Sequence, residues 1–292
     1  MTGPPAVRFV LFVLPAILLG AAPAKAASGA VARGDAAYAR RSEGRCEGRA
    51  APGPIREAVS AYEEAVREGA GLEAHWKLVR ALFFEGEYVA AGEREKRAVF
   101  GRGVEIARAA ESALAASIGA ETLFGDAQPS QIAAALRGNP DAAAVCFWSA
   151  VVFASRGRVS GAAAALREGL ADRLRRQAEL VIALDPGYEA GGAHRLLGRI
   201  HAEVPKIPFL TPWVQRERAV AEVRRAFDLG PDQPWNQLLL GMTLLEQAPT
   251  ERRQAIELLR QVAASSPRPD YAVEDAGAER AARDLLAQAE GG

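Results

Sequence analysis

The second half of the chain repeats small residues at a spacing that closely packed helix pairs require. Two units carry the pattern: Leu197-Gly198, Ala219, Val223, Ala226 and Pro231 form the first, and Leu240-Gly241, Ala255, Leu259, Val262 and Pro267 form the second. Small side chains let two helices approach closely, and proline ends a helix because it has no amide hydrogen to donate. The pattern therefore predicts an all-α fold built from helix pairs.

This spacing is similar to the tetratricopeptide pattern, a helix-pair repeat of about 34 residues. The register holds when insertions are placed in loops, the largest lying between Gly198 and Ala219. The first half is less regular and matches only in part, at Ala58, Tyr62, Ala65, Trp76, Val79 and Phe83. We therefore predict a degenerate repeat, a right-handed superhelix of antiparallel helix pairs, with a capping C-terminal helix over 271–289.

Apolar periodicity is helical throughout and predicts no strand. The predicted helices are 30–42, 55–68, 71–85, 88–116, 129–137, 141–156, 159–184, 189–203, 212–229, 234–247, 250–264 and 271–289. Thr211-Pro212 is expected to begin the ninth of these, with threonine as the N-cap and proline at the first helical position.

Residues 1–26 have the composition of a secretory signal peptide. Arg8 precedes an apolar run at 9–19, and Ala24-Lys25-Ala26 offers a cleavage site. The run is shorter than the ~20 residues of a membrane-spanning helix, and no cysteine follows it closely for lipid attachment. We expect export to the periplasm and a single domain over 27–292.

Composition and motifs argue against several classes of function. The 36 basic and 36 acidic residues balance, which argues against a broadly basic nucleic-acid-binding protein. No hydrolase, zinc-protease or nucleotide-binding motif is present in a suitable context. His194 and His201 lie seven positions apart on one predicted helix, about 10 Å along its axis, too far for joint metal binding. We predict a protein that is not an enzyme and uses no cofactor or metal.

The chain has two cysteines, Cys46 and Cys146. An even number in an oxidising compartment permits one disulfide. The alternative is two unrelated thiols, with Cys146 a small buried apolar residue.

The segment from 185 to 213 is the most distinctive of the chain. His194 and Arg195 lie near the start of a helix opened by Gly191-Gly192, and a proline-rich apolar stretch follows at 204–213. Together with Trp148, four of these residues are candidates for binding a ligand or a partner: His194, Arg195, Phe209 and Trp213. In the competing interpretation, Arg195 pairs with Glu189, while Phe209 and Trp213 fill the end of a helical groove.

The chain resembles the tetratricopeptide-like T-component (TatT) family of TRAP transporters. The resemblance rests on YEAGGAHRLLGRIHAEVPKIP at 188–208, AFDLGP at 226–231, EKRAVFGRGVEIARAA at 95–110, Trp148 and Leu184-Asp185-Pro186. It implies a non-enzymatic periplasmic accessory of solute uptake that binds an extracytoplasmic solute-binding protein. It also implies a small organic or hydrophobic ligand in the groove, and assembly of some members into homo-oligomers.

A second hypothesis keeps the fold but drops transport. Because a fold does not fix a function, the chain would then be a general cell-envelope scaffold for protein–protein interaction. Aromatic side chains lining an open groove would favour ligand binding, whereas a filled groove would favour protein binding alone. The sequence does not identify the partner, the solute or the oligomer size.

Overall fold

The protein is described here from a computed structural model, which covers residues 22–46, 48–125 and 127–291. The all-α class is confirmed for these residues, whose one extended pairing is an isolated bridge between Cys46 and Arg49. The helices are α1 Ala22–Ala39, α2 Pro52–Arg67, α3 Gly71–Phe84, α4 Glu93–Ala116, α5 Pro129–Ala135, α6 Ala142–Ser160, α7 Ala162–Arg167, α8 Leu170–Leu184, α9 Tyr188–Glu203, α10 Arg216–Leu229, α11 Pro234–Gln247, α12 Arg252–Ala264 and α13 Ala272–Gly291. Most of the predicted signal peptide, residues 1–21, lies outside the described residues.

Helices pack mainly against their neighbours along the chain. In the first half, α1, α2, α3 and α4 pack in succession, and α6 packs against α3, α4 and α8. In the second half, the same succession runs from α8 to α13. The largest apolar cluster joins α3, α4, α6, α8 and α9, so the core lies in the middle of the chain.

Two glycines of the predicted repeat pattern lie where helices cross. A Cβ on Gly198 would be 2.6 Å from the Val223 Cγ1 atom, and one on Gly241 would be 3.0 Å from the Leu259 Cγ atom. Both distances are shorter than a normal carbon–carbon contact, so a larger residue would force the pair apart.

Four predicted helix boundaries are wrong. The first helix spans Ala22–Ala39 instead of 30–42. The predicted helix 159–184 is broken at Gly161 and Gly169, whose φ angles of +87° and +63° suit glycine. The predicted helix 88–116 begins only at Glu93, after a π-helical turn at Glu85–Val89. Finally, α10 begins at Arg216 instead of 212, because the Thr211 hydroxyl is used inside the preceding loop.

The last helix, α13, packs against its neighbours at the end of the chain and also against the first helix pair. It packs on α11 and α12, as expected of a capping helix. It also reaches the first helix pair, where Arg41 donates to Glu274 at 2.8 Å and Val273 joins the buried cluster that contains Ala37. A Cβ on Gly277 would be 3.9 Å from the Tyr88 ring and 3.7 Å from the Trp235 ring. Side chains of α13 therefore join the beginning of the fold to its end.

The disulfide that the cysteine count permits is not formed. Both cysteines are free thiols: Cys46 is exposed in the loop between α1 and α2, whereas Cys146 is fully buried in α6. A disulfide needs Cβ atoms about 4 Å apart, which an exposed loop residue and a core residue of a separate helix do not provide here. Burial also raises the pKa of the Cys146 thiol, as expected of an inert core cysteine.

One helix among the described residues, α6, has the length and hydropathy that could cross a membrane. Within the fold, 72% of that apolar stretch is buried by other helices. We interpret α6 as the central core helix.

Candidate binding surfaces

A left-handed backbone turn opens α9. Glu189, Ala190 and Gly191 have φ angles of +50°, +52° and +77°, a conformation that costs roughly 1–2 kcal/mol for each non-glycine residue. At Gly191 a Cβ would be 2.9 Å from the Ala226 Cα atom, so this position needs glycine for both its conformation and its packing. The Gly-Gly motif therefore sets how Tyr188 and Glu189 are oriented relative to the rest of α9.

The side chain of Asn236 holds this turn in place. Its amide nitrogen lies 2.9, 2.7 and 2.8 Å from the carbonyl oxygens of Ala190, Ala226 and Gly230. Its amide oxygen accepts a hydrogen bond from Arg195 at 2.7 Å. One buried side chain thus links α9, α10 and α11.

Arg195, a predicted ligand anchor, is used inside the fold. Its Nη1 atom donates to Asn236 and, at 3.1 Å, to the Ala190 carbonyl oxygen. Burial lowers the pKa of Arg195 to about 10, and the charge of Glu189 partly opposes that effect. No ion pair joins Arg195 to Glu189 in the described structure, so neither predicted role for Arg195 is what the geometry shows. Its observed contacts brace the left-handed turn.

His194 also faces the interior. Its Nδ1 atom lies 2.7 Å from the Glu222 carboxylate on α10, and both side chains are buried. The hydrogen bond and charge of His194, together with nearby arginines, hold the pKa of Glu222 below its ordinary value despite burial. The pair joins α9 to α10 and has no access to solvent for a ligand.

The stretch at 204–215, which we name the insertion loop, is held by a small hydrogen-bond network. The Thr211 hydroxyl donates to the Pro205 carbonyl oxygen at 2.6 Å and accepts from the Ile207 amide at 2.9 Å. The Gln215 amide donates to His201 Nδ1 at 3.2 Å. The Thr211 bonds brace the loop internally, and the Gln215 bond ties its C-terminal end to α9.

The tip of the insertion loop points away from the fold. Phe209 is 99% exposed and Leu210 is 58% exposed. Phe209 also has a φ of +67°, a strained conformation for a bulky residue that marks functional segments more often than ordinary loops. The expectation that Phe209 fills a groove does not agree with this geometry, whereas a contact role does.

Trp213 behaves differently from Phe209. It is half-buried, its ring lies edge-on to His201 at 5.6 Å, and the Arg175 guanidinium lies 5.0 Å above it. Trp213 therefore anchors the insertion loop, as the groove-filling interpretation expects.

Trp148 belongs to a group of rings on neighbouring helices that we name the aromatic face. Its indole nitrogen donates to the Tyr188 hydroxyl at 3.1 Å, and its ring centroid lies 6.0 Å from that of Phe83. The other members are Tyr38 and Trp76, so the face joins α1, α3, α6 and the start of α9. Trp148 itself is only 9% exposed, whereas the other rings are half-buried.

Arg80 lies within the aromatic face. Its guanidinium carbon is 4.0 Å from the Tyr38 ring centroid and 5.0 Å from that of Trp76. Its Nε atom is buried without a hydrogen-bond partner, but its guanidinium hydrogen-bonds the buried Tyr62 hydroxyl. Sequence analysis missed Arg80, although Trp76, Arg80 and Phe83 follow the helical spacing that puts them on one face.

Two concave regions of the described residues contain none of the predicted site residues. A cavity of about 150 Å³ between α5 and α8 is lined by Phe124, Pro129, Arg175 and Arg176, among others. Both arginines already pair with carboxylates. No group of three or more metal-ligating side chains was found among the described residues.

Comparison with known proteins gives no assignment. The chain matches no protein-family model, and no curated protein is significantly similar to it. The functional argument therefore rests on the two surfaces just described, the insertion loop and the aromatic face.

Proposed function

We propose that this chain is an exported, non-enzymatic accessory of TRAP-type solute uptake. In this proposal a tetratricopeptide-like repeat binds a periplasmic solute-binding protein through the insertion loop and holds a small organic ligand in its groove. The transport context comes from the resemblance of 188–208 and its neighbours to the T-component family. Homo-oligomer assembly, implied by the same resemblance, is part of the proposal.

The exposure of Phe209 is the observation that carries the docking role. Exposed aromatic side chains are frequent anchors of protein interfaces, where losing one costs ~2 kcal/mol or more. Three prolines and the internal Thr211 bonds stiffen the loop, and His201 holds its C-terminal end. A loop held in this way loses little conformational entropy on binding, which favours affinity.

The repeat interpretation is supported by the close helix crossings at Gly198 and Gly241. It is also supported by the succession of neighbouring helix contacts from α8 to α13. Such arrays present extended surfaces for partners instead of a single catalytic cleft.

The test is affinity capture from periplasm with the purified protein as bait. The variant Phe209→Asn removes the ring but suits the left-handed backbone. The matched control is Leu229→Asn, which removes another exposed apolar side chain, 44% exposed, at the end of α10. We expect the wild type and the control to capture a solute-binding protein, and Phe209→Asn to capture at least tenfold less at an unchanged melting temperature.

Trp213→Ala separates docking from anchoring. Because Trp213 packs on His201, this variant is expected to melt several degrees lower. Equal capture by Phe209→Asn and the wild type would refute the docking role of the loop. Capture of envelope proteins that do not include a solute-binding protein would favour the general scaffold instead.

A further inference from the structure

The cavity between α5 and α8 is lined by no residue of the insertion loop or of the aromatic face. Its volume is about 150 Å³, similar to that of an apolar protein cavity that holds one benzene molecule. One wall consists of residues 123–124 and 127–129, around the start of α5, and the other is one face of α8. The cavity therefore has space for one six-membered ring.

Hydrogen bonds hold both walls of the cavity in place. Arg176 Nη1 donates to the carbonyl oxygen of Phe124 at 3.4 Å and also to that of Gly125, which ties the first wall to α8. The Gln131 side chain accepts from the Gln128 amide at 3.0 Å, as part of a capping box at the start of α5. A site formed in advance loses little conformational entropy when a ligand binds.

The charged side chains on the α8 wall are already paired. Arg175 Nη1 lies 3.0 Å from both carboxylate oxygens of Glu179. Arg175 Nη2 and Arg176 Nε donate to Asp172 at 2.7 and 3.1 Å. These two arginines and two carboxylates balance each other, so an ionic ligand would have to displace an existing pair. The arrangement favours a neutral ligand.

The same wall keeps unused hydrogen-bonding capacity. Arg176 Nη2 has no acceptor among the described residues, since the printed bonds of this guanidinium use Nε and Nη1. Each Glu179 oxygen accepts from Arg175 alone in the described structure and keeps a further lone pair. A hydroxyl group both donates and accepts, so hydroxyls can bond to both kinds of side chain. The apolar side chains of Phe124 and Leu180 are available to the carbon atoms of a ring.

We propose that the cavity between α5 and α8 binds a neutral polyhydroxylated ring, of the monosaccharide or cyclitol type. Its hydroxyl groups donate to Glu179 and accept from Arg176, while its carbon ring packs against Phe124. The inference goes beyond the proposed function, because it concerns a different part of the molecule and does not need a ligand in the groove.

The test is titration calorimetry of the purified protein with five probes. D-xylose, D-glucose and myo-inositol are neutral rings with several hydroxyl groups. Cyclohexanol has a ring of the same size with a single hydroxyl, and propionate carries a carboxylate. Sites built from hydrogen-bonding groups reject ligands that lack the matching hydroxyls. We expect at least one of the three polyols to bind at least tenfold more tightly than cyclohexanol and propionate.

Two substitutions locate the binding site. Ala127→Phe adds a ring at an exposed position of the first wall without removing a hydrogen bond, and should abolish binding by filling the cavity. Ala134→Phe adds the same ring at an exposed position of α5 that does not line the cavity, and is the matched control. Glu179→Gln keeps the size of the side chain but weakens the acceptor, and should lower the affinity at least fivefold.

Three results would overturn the proposal. These are no heat of binding for any polyol up to ~10 mM, binding of cyclohexanol or propionate as tight as that of the polyols, or unchanged affinity in the folded Ala127→Phe or Glu179→Gln protein. Thermal melting shows that each variant is folded. The docking role fails separately, because Phe209→Asn leaves the cavity intact and should bind the polyol as the wild type does.

Discussion

Helices approach each other differently in the two halves of the fold. In the second half, Gly198 and Gly241 lie against the backbone of the partner helix as well as an aliphatic side chain: a Cβ on either would be 3.1 Å from a carbonyl oxygen, that of Ala219 or Ala255. In the first half, two glycines face rings: a Cβ on Gly34 would be 2.4 Å from the Tyr62 ring, and one on Gly86 would be 2.3 Å from the Phe100 ring. The first type brings two backbones together, whereas the second fills the space above a glycine with a large side chain.

The difference explains why the spacing of small residues recurs in the second half of the sequence and not in the first. A crossing of two backbones needs a small residue on each helix at a fixed distance from the next crossing, so the spacing recurs in the sequence. A ring above a glycine can come from several positions on the partner helix, so no fixed spacing is required. Close packing is achieved in both halves, but only one way of achieving it leaves a periodic signal.

The largest effect is expected at Asn236. Asn236→Leu removes the amide that bonds three carbonyl oxygens and the oxygen that accepts from Arg195. Because buried groups lose their partners, we expect the free energy of unfolding to fall by about 3 kcal/mol or more. Urea denaturation measures it. Gln237→Leu, on the same helix with a single exposed hydrogen bond, is the control and should cost much less.

Ala226 tests the backbone crossings directly. Ala226→Leu inserts a larger side chain where the Cα of residue 226 already approaches Gly191, and Ala226 is fully buried. We expect a loss of ~1–3 kcal/mol from overpacking. Ala221→Leu, on the exposed side of α10, should be nearly neutral in the same denaturation experiment. Equal effects at both positions would show that α10 does not cross α9 closely.

Gly34 makes the corresponding test in the first half. Gly34→Ala drives a methyl group into the buried Tyr62 ring, whose hydroxyl is also bonded to Asp35 at 2.8 Å. We expect a loss of about 1–2 kcal/mol, measured by thermal unfolding. Gly29→Ala, on the same helix with only the flexible end of Arg33 within 4 Å, should be neutral or stabilising by up to about 1 kcal/mol. If Gly34→Ala stabilised the protein, the proposed difference in helix packing between the two halves would be refuted.

The last prediction concerns pH and the insertion loop. Burial, aided by Arg218, lowers the pKa of His201 from 6.5 to about 4, so the folded state keeps the neutral ring that accepts from Gln215. The unfolded chain binds the proton more readily, so the stability due to neutral His201 is complete above pH 6.5 and is lost as the pH falls towards 4. We expect the stability difference between the wild type and His201→Gln to shrink over this range. A constant difference in pH-dependent denaturation would contradict this.

The sequence predicts the helices well but not the local backbone. Apolar periodicity places nearly every helix because each buries one continuous stripe. The three left-handed residues at 189–191 leave no such signal, since two of them, Glu189 and Ala190, are not glycine. They are imposed by Asn236, which lies more than 40 positions later.

The candidate site residues also divide into features that the sequence predicts and features that only the structure shows. The proline-rich composition of 204–213 identifies the insertion loop, but only the structure separates exposed Phe209 from anchored Trp213. Its position near the Gly-Gly motif makes Arg195 a candidate binding residue in the sequence. Its hydrogen-bond partner, Asn236, lies on α11 and could not be read from that motif. Arg80 was missed because its surroundings come from α1 and α3, and stacking of a cation on rings has no sequence spacing of its own.

The return of α13 to the first helix pair changes how this chain should unfold. In an open helical array each unit contacts only its neighbours, so the end units fray first and stability is close to a sum of local contributions. Here Arg41, Glu274 and Val273 join elements more than 230 positions apart. Neither end can then be lost without breaking contacts of the other, which couples the two halves into one cooperative transition. The same long-range contacts form late and make folding slow. Closing the long chain loop between them costs entropy before the contacts stabilise the fold.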